Sequence, residues 1–300
     1  MTSDVENLRP LLFAIAYRML GSVSEAEDIV QEAFLRYHKL TGRPESPKAY
    51  LSAITTRLCI DHARSARVRR ETYVGEWLPE ALLTDDPADH AEQSDTLSMA
   101  FLLLLERLSP VERAVFLLHD VFGYGYDEVA EIVGRGEDAC RQLGYRARKH
   151  VTEHRRRFDA SRRQSAKLAE RFFAAVGAGN MDGLISMLAA DAVAVGDGAG
   201  GRPSWPRPIV GRDNIGRLLA ALGNQLRQIG GTIKLTGVNG QPGALILAAD
   251  GRLISVMVLD IADGQVVTAR SVISRAKLGH LGPLADLPEL LAQVRAVGNG

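Results

Sequence analysis

The stretch from Tyr126 to Val151 constrains the fold of this chain more than any other, because it joins two helical patterns through a short glycine turn. The first pattern places four apolar side chains on one side of a short helix: Val129, Ala130, Ile132 and Val133. Gly134, Arg135 and Gly136 follow, and glycine adopts the positive φ of a tight turn at no steric cost. The second pattern repeats an apolar residue at every fourth position, which is typical of one helix face: Ala139, Leu143, Ala147 and Val151.

The second helix also carries a polar face opposite that apolar stripe. Arg141, Tyr145 and Arg148 fall on it, and four further polar side chains flank them: Glu137, Asp138, Gln142 and Lys149. Two helices joined in this way form a helix-turn-helix, whose second helix can offer polar side chains to the major groove of DNA. An ordinary helical hairpin with a solvated charged face produces the same pattern, so the stretch alone leaves both interpretations open.

Three longer helices are predicted near the N-terminus. Residues 4–20 form an amphipathic helix that Gly21 ends, and Ser24 caps a second helix from Glu25 to Leu40. The second helix buries its apolar side and turns Asp28, Gln31, Glu32 and Arg36 outward. After a loop at Thr41–Pro47, a third helix runs from Lys48 to Arg70.

Residues 73–96 interrupt the helical pattern with an acidic, proline-containing segment that reads as a linker. Its motif WLPE, at Trp77–Glu80, is apolar for a linker, and an exposed Trp77 is unfavourable unless it docks on another part of the protein. A second helical bundle starts at Thr96. Within it, Ser109 is the predicted N-cap and Pro110 the first residue of a helix that extends to Phe122.

The composition changes after residue 165, where 21 of the 29 glycines lie. Two helices are predicted first, Ala166–Ala178 and one near Asp182–Leu188. Five strands follow: Ala192–Val195, Thr232–Val238, Ala244–Ala249, Leu253–Ile261 and Gln265–Ile273. Short glycine turns separate the last four, which predicts an antiparallel meander and an α+β domain.

Charge and cysteine content exclude several classes of protein. The chain holds 36 basic and 36 acidic residues, so it is not a generally basic nucleic-acid coat protein. Its two cysteines, Cys59 and Cys140, exclude a disulfide framework, and no Cys/His spacing indicates a zinc site or a cofactor. The sequence shows neither a signal-peptide pattern nor a run of about 18 apolar residues, so we expect a soluble cytoplasmic protein with no membrane contact.

The first 151 residues resemble an extracytoplasmic-function (ECF) RNA polymerase sigma factor, a small two-domain bacterial transcription initiation factor. Two segments carry region 2: AYRMLGSVSEAEDIVQEAFLRYHK and SPKAYLSAITTRLCIDHARSARVRR. Region 4 is carried by ERLSPVERAVFLLHDVFGYGYDEVAEIVGRGEDACRQLGYRARK. The resemblance implies region 2 at residues 1–72, the linker at 73–96 and region 4 at 97–157.

The resemblance also implies two partners. One is core RNA polymerase, through its β and β′ subunits, and the other is promoter DNA. The helix that binds the β′ clamp helices is matched by Asp28, Ile29, Gln31 and Glu32. The helix that reads the promoter −10 element is matched by Tyr50, Arg57, Asp61, His62 and Arg64. The loop Gly42–Pro47 matches the one that captures an unstacked base of the non-template strand.

Region 4 then places the polar face of its second helix at the −35 element: Glu137, Asp138, Arg141, Gln142, Tyr145, Arg148 and Lys149. Arginine suits guanine O6 and N7, whereas Arg148 and Lys149 are expected at phosphates. Gly144 departs from the family pattern, which has leucine there, and a mid-helix glycine lowers helix stability by roughly 1 kcal/mol relative to alanine. This helix is therefore either less stable than usual or packed closely against a neighbour.

Residues 166–280 resemble the SnoaL-like domain, a cone-shaped α+β fold, and residues 281–300 form a C-terminal tail. One group of sigma factors carries such an extension, and WLPE matches the linker motif of that group. DGAGGRP, at Asp197–Pro203, matches its Gly-rich motif, although Gly201 and Arg202 depart from the commoner ending in lysine. The match implies a regulatory contact between linker and extension through Trp77, Leu78, Pro79, Asp197, Gly198 and Gly200.

SnoaL-like folds include enzymes that use an acid–base pair, often Asp with His. No histidine lies between Ala166 and Gly279, and the candidate acids are Asp191, Asp197, Asp250 and Asp260. We therefore expect no enzyme, while a small ligand in the cone stays open. Two other interpretations remain: a polymerase-independent helix-turn-helix regulator with a ligand-sensing domain, and a SnoaL-type enzyme tethered to DNA.

Overall fold

The chain divides into two compact units. The computed structural model describes residues 3–42, 44–71, 75–84, 96–154, 162–198, 207–286, 289, 290 and 292. One unit combines residues 1–72 with 100–155, and the other combines 73–99 with 156–300. The segment between the two helical regions therefore belongs to the same unit as the C-terminal part of the chain.

The first unit begins with four helices: α1 Ser3–Glu6, α2 Arg9–Leu20, α3 Val23–His38 and α4 Pro47–Glu71. The prediction of one continuous helix over residues 4–20 is wrong, because the chain breaks between Glu6 and Arg9. Pro10 explains the break. It has no N–H to donate to the carbonyl of Glu6 four residues earlier, whereas it is well suited to the first turn of a new helix.

The ends of α2 and α3 show why the chain turns there. Gly21 has φ 68° and donates its N–H to the Tyr17 carbonyl oxygen, which confirms the predicted stop. The predicted cap at Ser24 is wrong, and Ser22 takes that role. Its backbone is extended and its Oγ accepts from the Glu25 N–H at 3.1 Å, so the helix begins two residues earlier than predicted.

The second set of helices begins with α5 Met99–Leu105, which belongs to this unit from residue 100 onward, and α6 Pro110–Phe116. It continues with α7 Tyr126–Val133 and α8 Glu137–His154. A π-helical stretch, Leu117–Val121, extends α6 toward α7. Ser109 caps α6 as predicted, and Glu112 returns a hydrogen bond to the Ser109 N–H to complete a capping box. Gly134 adopts φ 67° at the turn between α7 and α8.

The buried face of α8 is displaced from the predicted apolar stripe. Cys140, Gly144, Ala147 and Val151 point inward. Ala139 is exposed and Leu143 only half-buried, so the stripe was wrong at its first member. Successive residues of an α-helix are rotated by about 100° about its axis, so a shift of one residue changes which side chains face inward. The turn after α7 determines which face of α8 is buried.

The second unit contains α9 Arg162–Ala178, α10 Met181–Met187, α11 Arg212–Gln228 and α12 Arg275–Leu278. Its strands are β1 Leu83–Thr84, β2 Leu188–Asp197, β3 Ile209–Val210, β4 Thr232–Val238, β5 Gln241–Leu247, β6 Leu253–Ala262 and β7 Gln265–Val272. They form one sheet in the order β1-β4-β5-β6-β7-β2-β3. The meander β4–β7 is antiparallel as predicted, whereas β2 pairs with β7 in parallel.

Strand β6, in the middle of the sheet, is buried on both of its faces. Met257, Leu259 and Ile261 of β6 pack with the three helices α9–α11 in one apolar core. Successive strand residues face opposite sides, so Val256 and Val258 point the other way, and they are buried too. No helix in the described part of the chain is both long and apolar enough to cross a membrane.

Candidate nucleic-acid interface and linker-docking site

The residues predicted for the −35 element line the exposed side of α8. Tyr145 is 66% exposed, and Asp138 and Gln142 are exposed beside it. Glu137 and Arg141 form an ion pair one helical turn apart in the first turns of the helix. Lys149 lies 3.9 Å from Glu153 further along. This mixed polar strip can supply both phosphate and base-edge contacts.

Arg141 and Arg148 converge on Tyr126, the first residue of α7. The guanidinium carbon of Arg141 lies 5.0 Å from the ring centroid of Tyr126. Arg148 donates from Nη2 to the Tyr126 Oη at 3.1 Å and from Nη1 to the Asp120 Oδ1 at 3.1 Å. Burial acts to lower the pKa of Arg148, but the charge of Asp120 and these hydrogen bonds outweigh it and raise that pKa.

Gly144 is explained by the same tyrosine. A Cβ atom at this position would stand 2.6 Å from the Tyr126 Oη. Of the two alternatives that the sequence left open, the structure therefore shows close packing against a neighbour. The absence of a side chain makes room for the hydroxyl group of Tyr126.

The residues predicted for the −10 element lie along α4. His62 Nε2 is 2.9 Å from Glu25 Oε1 of α3, and Arg64 is 3.2 Å from Asp61 on the exposed side. The Tyr50 ring packs beside another aromatic ring of α3. In the loop Gly42–Pro47, one residue, 43, lies outside the described residues.

Arg57 joins α4 to the helix-turn-helix. It donates from Nε to the Ile132 carbonyl oxygen at 2.9 Å and from Nη2 to the Glu131 carbonyl oxygen at 2.7 Å. These carbonyls belong to the last turn of α7, where no intrahelical donor is available and a cation is favoured. Ser52 and Tyr124 add a buried 2.8 Å hydrogen bond between their hydroxyl groups. We call these three side chains (Arg57, Ser52 and Tyr124) and the two carbonyl groups the α4–α7 clasp.

The residues predicted to bind the polymerase lie on α3. Asp28 and Gln31 are exposed, and Glu32 pairs with Arg36 at 2.7 Å on the surface. Ile29 is 7% exposed and belongs to the helical core. The outward side of α3 is therefore acidic and polar, with Ile29 supporting it from within.

Three of the residues predicted for the linker–extension contact, Trp77, Leu78 and Asp197, meet at a buried ion pair, which we call the linker-docking site. Asp197, at the end of β2, is fully buried, and its Oδ2 accepts from the Leu78 N–H at 2.7 Å and from Lys277 Nζ at 2.5 Å. Lys277 also donates to the Leu78 carbonyl oxygen at 2.5 Å, and its ammonium lies 4.5 Å from the Trp77 ring centroid. The pair thus binds both backbone groups of one linker residue.

Of the other residues predicted for this contact, Pro79 and Gly198 are among the described residues. Pro79 is buried and Gly198 half-buried. Gly200 lies outside the described residues. The backbone of Asp197 is fixed independently of its carboxylate, because its carbonyl oxygen accepts from the N–H groups of Ile273 and Ser274 at 2.8 and 2.9 Å.

The linker makes further contacts beyond Leu78. The side chain of Asn239 accepts from the Leu82 N–H at 3.1 Å and donates to the Leu97 carbonyl oxygen at 3.2 Å. Gln241 accepts from the Met99 N–H at 3.0 Å. β1 pairs with the end of β4, so the linker also adds a short strand to the sheet.

His280 contacts the linker on the C-terminal side of Leu78. Its Nε2 lies 2.8 Å from the Ala81 carbonyl oxygen, and its Nδ1 lies 3.7 Å from Glu80 Oε2. The WLPE motif is therefore held at its tryptophan, its leucine and its glutamate. Trp77 is half-buried, as expected for a tryptophan that docks.

Sequence reasoning missed Lys277, His280, Asn239 and Gln241. The Asn-Gly pair at 239–240 does indicate a hairpin, and Asn239 has the positive φ of 54° that such a turn requires. Its side-chain partners, however, lie far away in the sequence, where no local pattern points to them. A buried Asp197 requires a cation, but its burial was not visible in the sequence.

The other candidate acids of the extension are mostly engaged in ion pairs. Asp260 pairs with Arg270 across two strands and accepts from Gln241 Nε2 at 2.6 Å. Asp250 accepts from the backbone N–H and the side chain of Arg252, and both bonds lower its pKa. Asp191 is exposed on β2.

Comparison with known proteins assigns the two helical regions. A family model for Sigma-70 region 2 matches residues 5–69, and one for Sigma-70 region 4 matches residues 98–151. The chain is 38% identical over 255 residues to the ECF RNA polymerase sigma factor SigJ of Mycobacterium tuberculosis, covering 83% of this chain and 82% of that protein. It is 31% identical over 278 residues to the probable ECF RNA polymerase sigma factor SigI of the same species, covering 91% and 93%.

The similarity extends to a solved structure. The crystal structure of M. tuberculosis extracytoplasmic function sigma factor SigJ matches with a TM-score of 0.74 and 34% identity, over 95% of this chain and 100% of that chain. The match spans the helical regions and the α+β domain behind them. The multidomain fold predicted from the sequence is thereby confirmed.

Proposed function

The chain belongs to the extracytoplasmic-function RNA polymerase sigma factors, and on that premise we propose how this one binds polymerase, reads a promoter and is restrained. It acts as an alternative sigma factor that recruits core RNA polymerase to promoters with its own −10 and −35 elements. The observation that carries the regulatory part is the linker-docking site, where a buried ion pair holds the backbone of Leu78.

The acidic outer side of α3 is the proposed polymerase contact, on the β′ subunit, alongside contacts with β. Asp28 and Gln31 are exposed on a helix whose buried side is fixed by Ile29. A rigid acidic helix suits a basic helical partner, and charge complementarity sets its register and association rate. Asp28→Arg should therefore abolish capture of purified core polymerase, whereas Asp182→Arg, an equal charge change in α10, should not.

Promoter reading by this chain is proposed to require separation of α4 from the helix-turn-helix. The −10 and −35 elements lie roughly 25 base pairs apart, or about 85 Å at ~3.4 Å per base pair. Arg57 of α4 binds carbonyl oxygens of α7 at 2.7 and 2.9 Å. Helices in direct contact cannot reach both elements at once, so the α4–α7 clasp must open before Arg57 is available to DNA.

The linker is proposed to limit that separation. Residues 73–99 can span at most about 90 Å when fully extended, at ~3.3 Å per residue. The C-terminal domain holds this segment at Leu78, at Leu82 and again at Leu97 and Met99. A docked linker cannot extend, so we expect docking to restrain initiation and undocking to favour it.

In vitro transcription with purified core polymerase and a cognate promoter tests the proposal. Full-length protein, Trp77→Ala and a chain ending after Arg163 are compared, and the two altered forms should initiate more strongly. Failure of every form to yield a promoter-specific open complex would reject the sigma function. Equal initiation and equal protease resistance of the linker in Trp77→Ala would reject only the restraint.

The C-terminal domain is proposed to have no catalytic role, since the sigma factor family is not an enzyme family. Asp197 and Asp260 are each engaged in a buried ion pair, which supports this view. A ligand in the cone would have to enter among apolar side chains such as Phe172 and Met257, and it stays a prediction. The proposed place of action is the cytoplasm, with the polymerase.

A further inference from the structure

The geometry points to Tyr126 and Gly144 as a matched pair that sets −35 specificity by positioning two arginines of α8. In this role Tyr126 is a positioning residue, which acts on DNA only through Arg141 and Arg148. Arg148, expected at a phosphate from the sequence, is assigned here to a base edge, because its anchors on Tyr126 and Asp120 fix the direction of its guanidinium group. The inference rests on the proposed −35 role of α8 and goes beyond it by naming what holds the reading side chains.

The first observation is the close fit between the tyrosine hydroxyl and the glycine. A Cβ atom at Gly144 would lie 2.6 Å from Tyr126 Oη and 3.4 Å from two ring carbons. A separation below 3.0 Å forces the neighbour to move, and here that neighbour is a rigid aromatic ring. Glycine at this position therefore admits the hydroxyl group to the surface of α8, despite the helix propensity that it sacrifices.

The second observation is that the ring is itself held in place. His119 stacks on Tyr126 with ring centroids 3.9 Å apart and an angle of 26°. His119 Nδ1 is 2.8 Å from the Tyr124 carbonyl oxygen, which fixes the imidazole. Both His119 and Asp120 lie in the π-helical stretch Leu117–Val121, and π-helical turns are frequent at functional sites.

The third observation is that both arginines are bound to this fixed ring. His119 covers one face of Tyr126, so Arg141, 5.0 Å from the centroid, takes the other. Arg148 is anchored at Tyr126 Oη and at Asp120 Oδ1. The side chains remain 57% and 41% exposed, so each keeps guanidinium N–H groups available to DNA.

Holding an arginine in place affects discrimination more than general affinity. Phosphate contacts carry no sequence information, whereas a guanidinium reads guanine through two hydrogen bonds of fixed direction. A side chain that is oriented before binding loses less freedom and presents those donors at one base step. A loosened arginine can still meet a phosphate, but it distinguishes bases poorly.

The test measures −35 preference with full-length protein in polymerase holoenzyme, on promoters randomised at the −35 element. Tyr126→Phe keeps the ring and removes the hydroxyl, and we expect about a tenfold loss of discrimination between the best and the average sequence. Gly144→Ala should lose as much or more. Because phenylalanine removes the closest clash, Gly144→Ala should cause little further loss in the Tyr126→Phe background. Tyr37→Phe, which removes a hydroxyl from α3, is the matched control and should keep the wild-type preference.

A second readout needs no DNA. NMR relaxation of the Arg148 side-chain Nε–H group in the free protein should show greater mobility in Tyr126→Phe than in the wild type. The inference is overturned if Tyr126→Phe keeps both the wild-type preference and a rigid Arg148. It is also overturned if the two substitutions are additive, or if every −35 sequence weakens equally. If the wild type shows no −35 preference although its Arg148 is rigid, that result rejects the proposed −35 role of α8, and with it the premise of this inference.

Discussion

Replacing Asp197 by alanine should release the linker without unfolding the domain that holds it. The carboxylate is fully buried and serves the Leu78 N–H at 2.7 Å and Lys277 Nζ at 2.5 Å. Removing one partner of a buried ion pair destabilises a structure by about 3–5 kcal/mol. Lys277 keeps the Leu78 carbonyl oxygen and the Trp77 ring, so the lower end of that range, about 3 kcal/mol, applies.

Hydrogen exchange converts this energy into a rate. About 3 kcal/mol corresponds to roughly a hundredfold increase in local opening, at ~1.4 kcal/mol per tenfold. The amide of Leu78 should therefore exchange about a hundredfold faster in Asp197→Ala, as followed by mass spectrometry of linker peptides. The backbone bonds from Ile273 and Ser274 to the Asp197 carbonyl oxygen survive the substitution, so β2 and β7 should keep their protection.

Two variants control for this experiment. Asp197→Asn retains an acceptor oxygen for the Leu78 N–H and loses the charge, so its exchange should be intermediate. Asp191→Ala removes an exposed carboxylate from the same strand and should leave Leu78 unchanged. Unchanged exchange at Leu78 in Asp197→Ala would refute the reasoning, as would equal acceleration across the whole sheet.

Three further predictions concern the helical unit. Burial raises the pKa of both Cys59 and Cys140, so raising the pH from 7 to 9 should barely increase the labelling of the native protein by N-ethylmaleimide. Labelling is measured by intact mass spectrometry, and rapid labelling of the native protein would contradict this expectation. Ser109→Ala removes a helix cap and should lower the free energy of unfolding by about 1 kcal/mol in urea titrations, and a midpoint equal to the wild type would argue against the capping box. Tyr124→Phe leaves the buried hydroxyl group of Ser52 without its 2.8 Å partner and should lower the Tm by about 2–4 °C, as measured by calorimetry. An unchanged Tm would show that the hydrogen bond between Ser52 and Tyr124 does not contribute to stability.

Local signals in the sequence predicted the parts of the fold that local chemistry determines. Gly21 and Ser109 mark helix ends because positive φ and a side-chain cap are properties of one or two residues. The β4–β7 meander follows from adjacent strands and short turns in the same way. The parallel pairing of β2 with β7 was not predictable, because about seventy residues separate the strands and no turn specifies the register.

The candidate sites divide along the same line. The exposed side of α8 could be predicted from helical spacing, although its buried face was misplaced at Ala139. The role of Gly144 could not, since it depends on Tyr126 from another helix. Lys277 was missed because a lysine in a short C-terminal helix looks solvated until its partner, Asp197, is known to be buried.

The two-residue strand β1 also affects the tendency of the protein to associate with other chains. Leu83 and Thr84 cover the end of β4, which is otherwise the open edge of the sheet, and Leu235 on that strand is 45% exposed. Unpaired strand edges recruit other chains, and proteins normally shield them. A sigma factor with its linker released therefore exposes a longer unpaired edge of β4 until the linker docks again. At high protein concentration we expect the released form to associate with other chains through this edge, whereas the return of β1 to β4 covers the edge again and prevents that association.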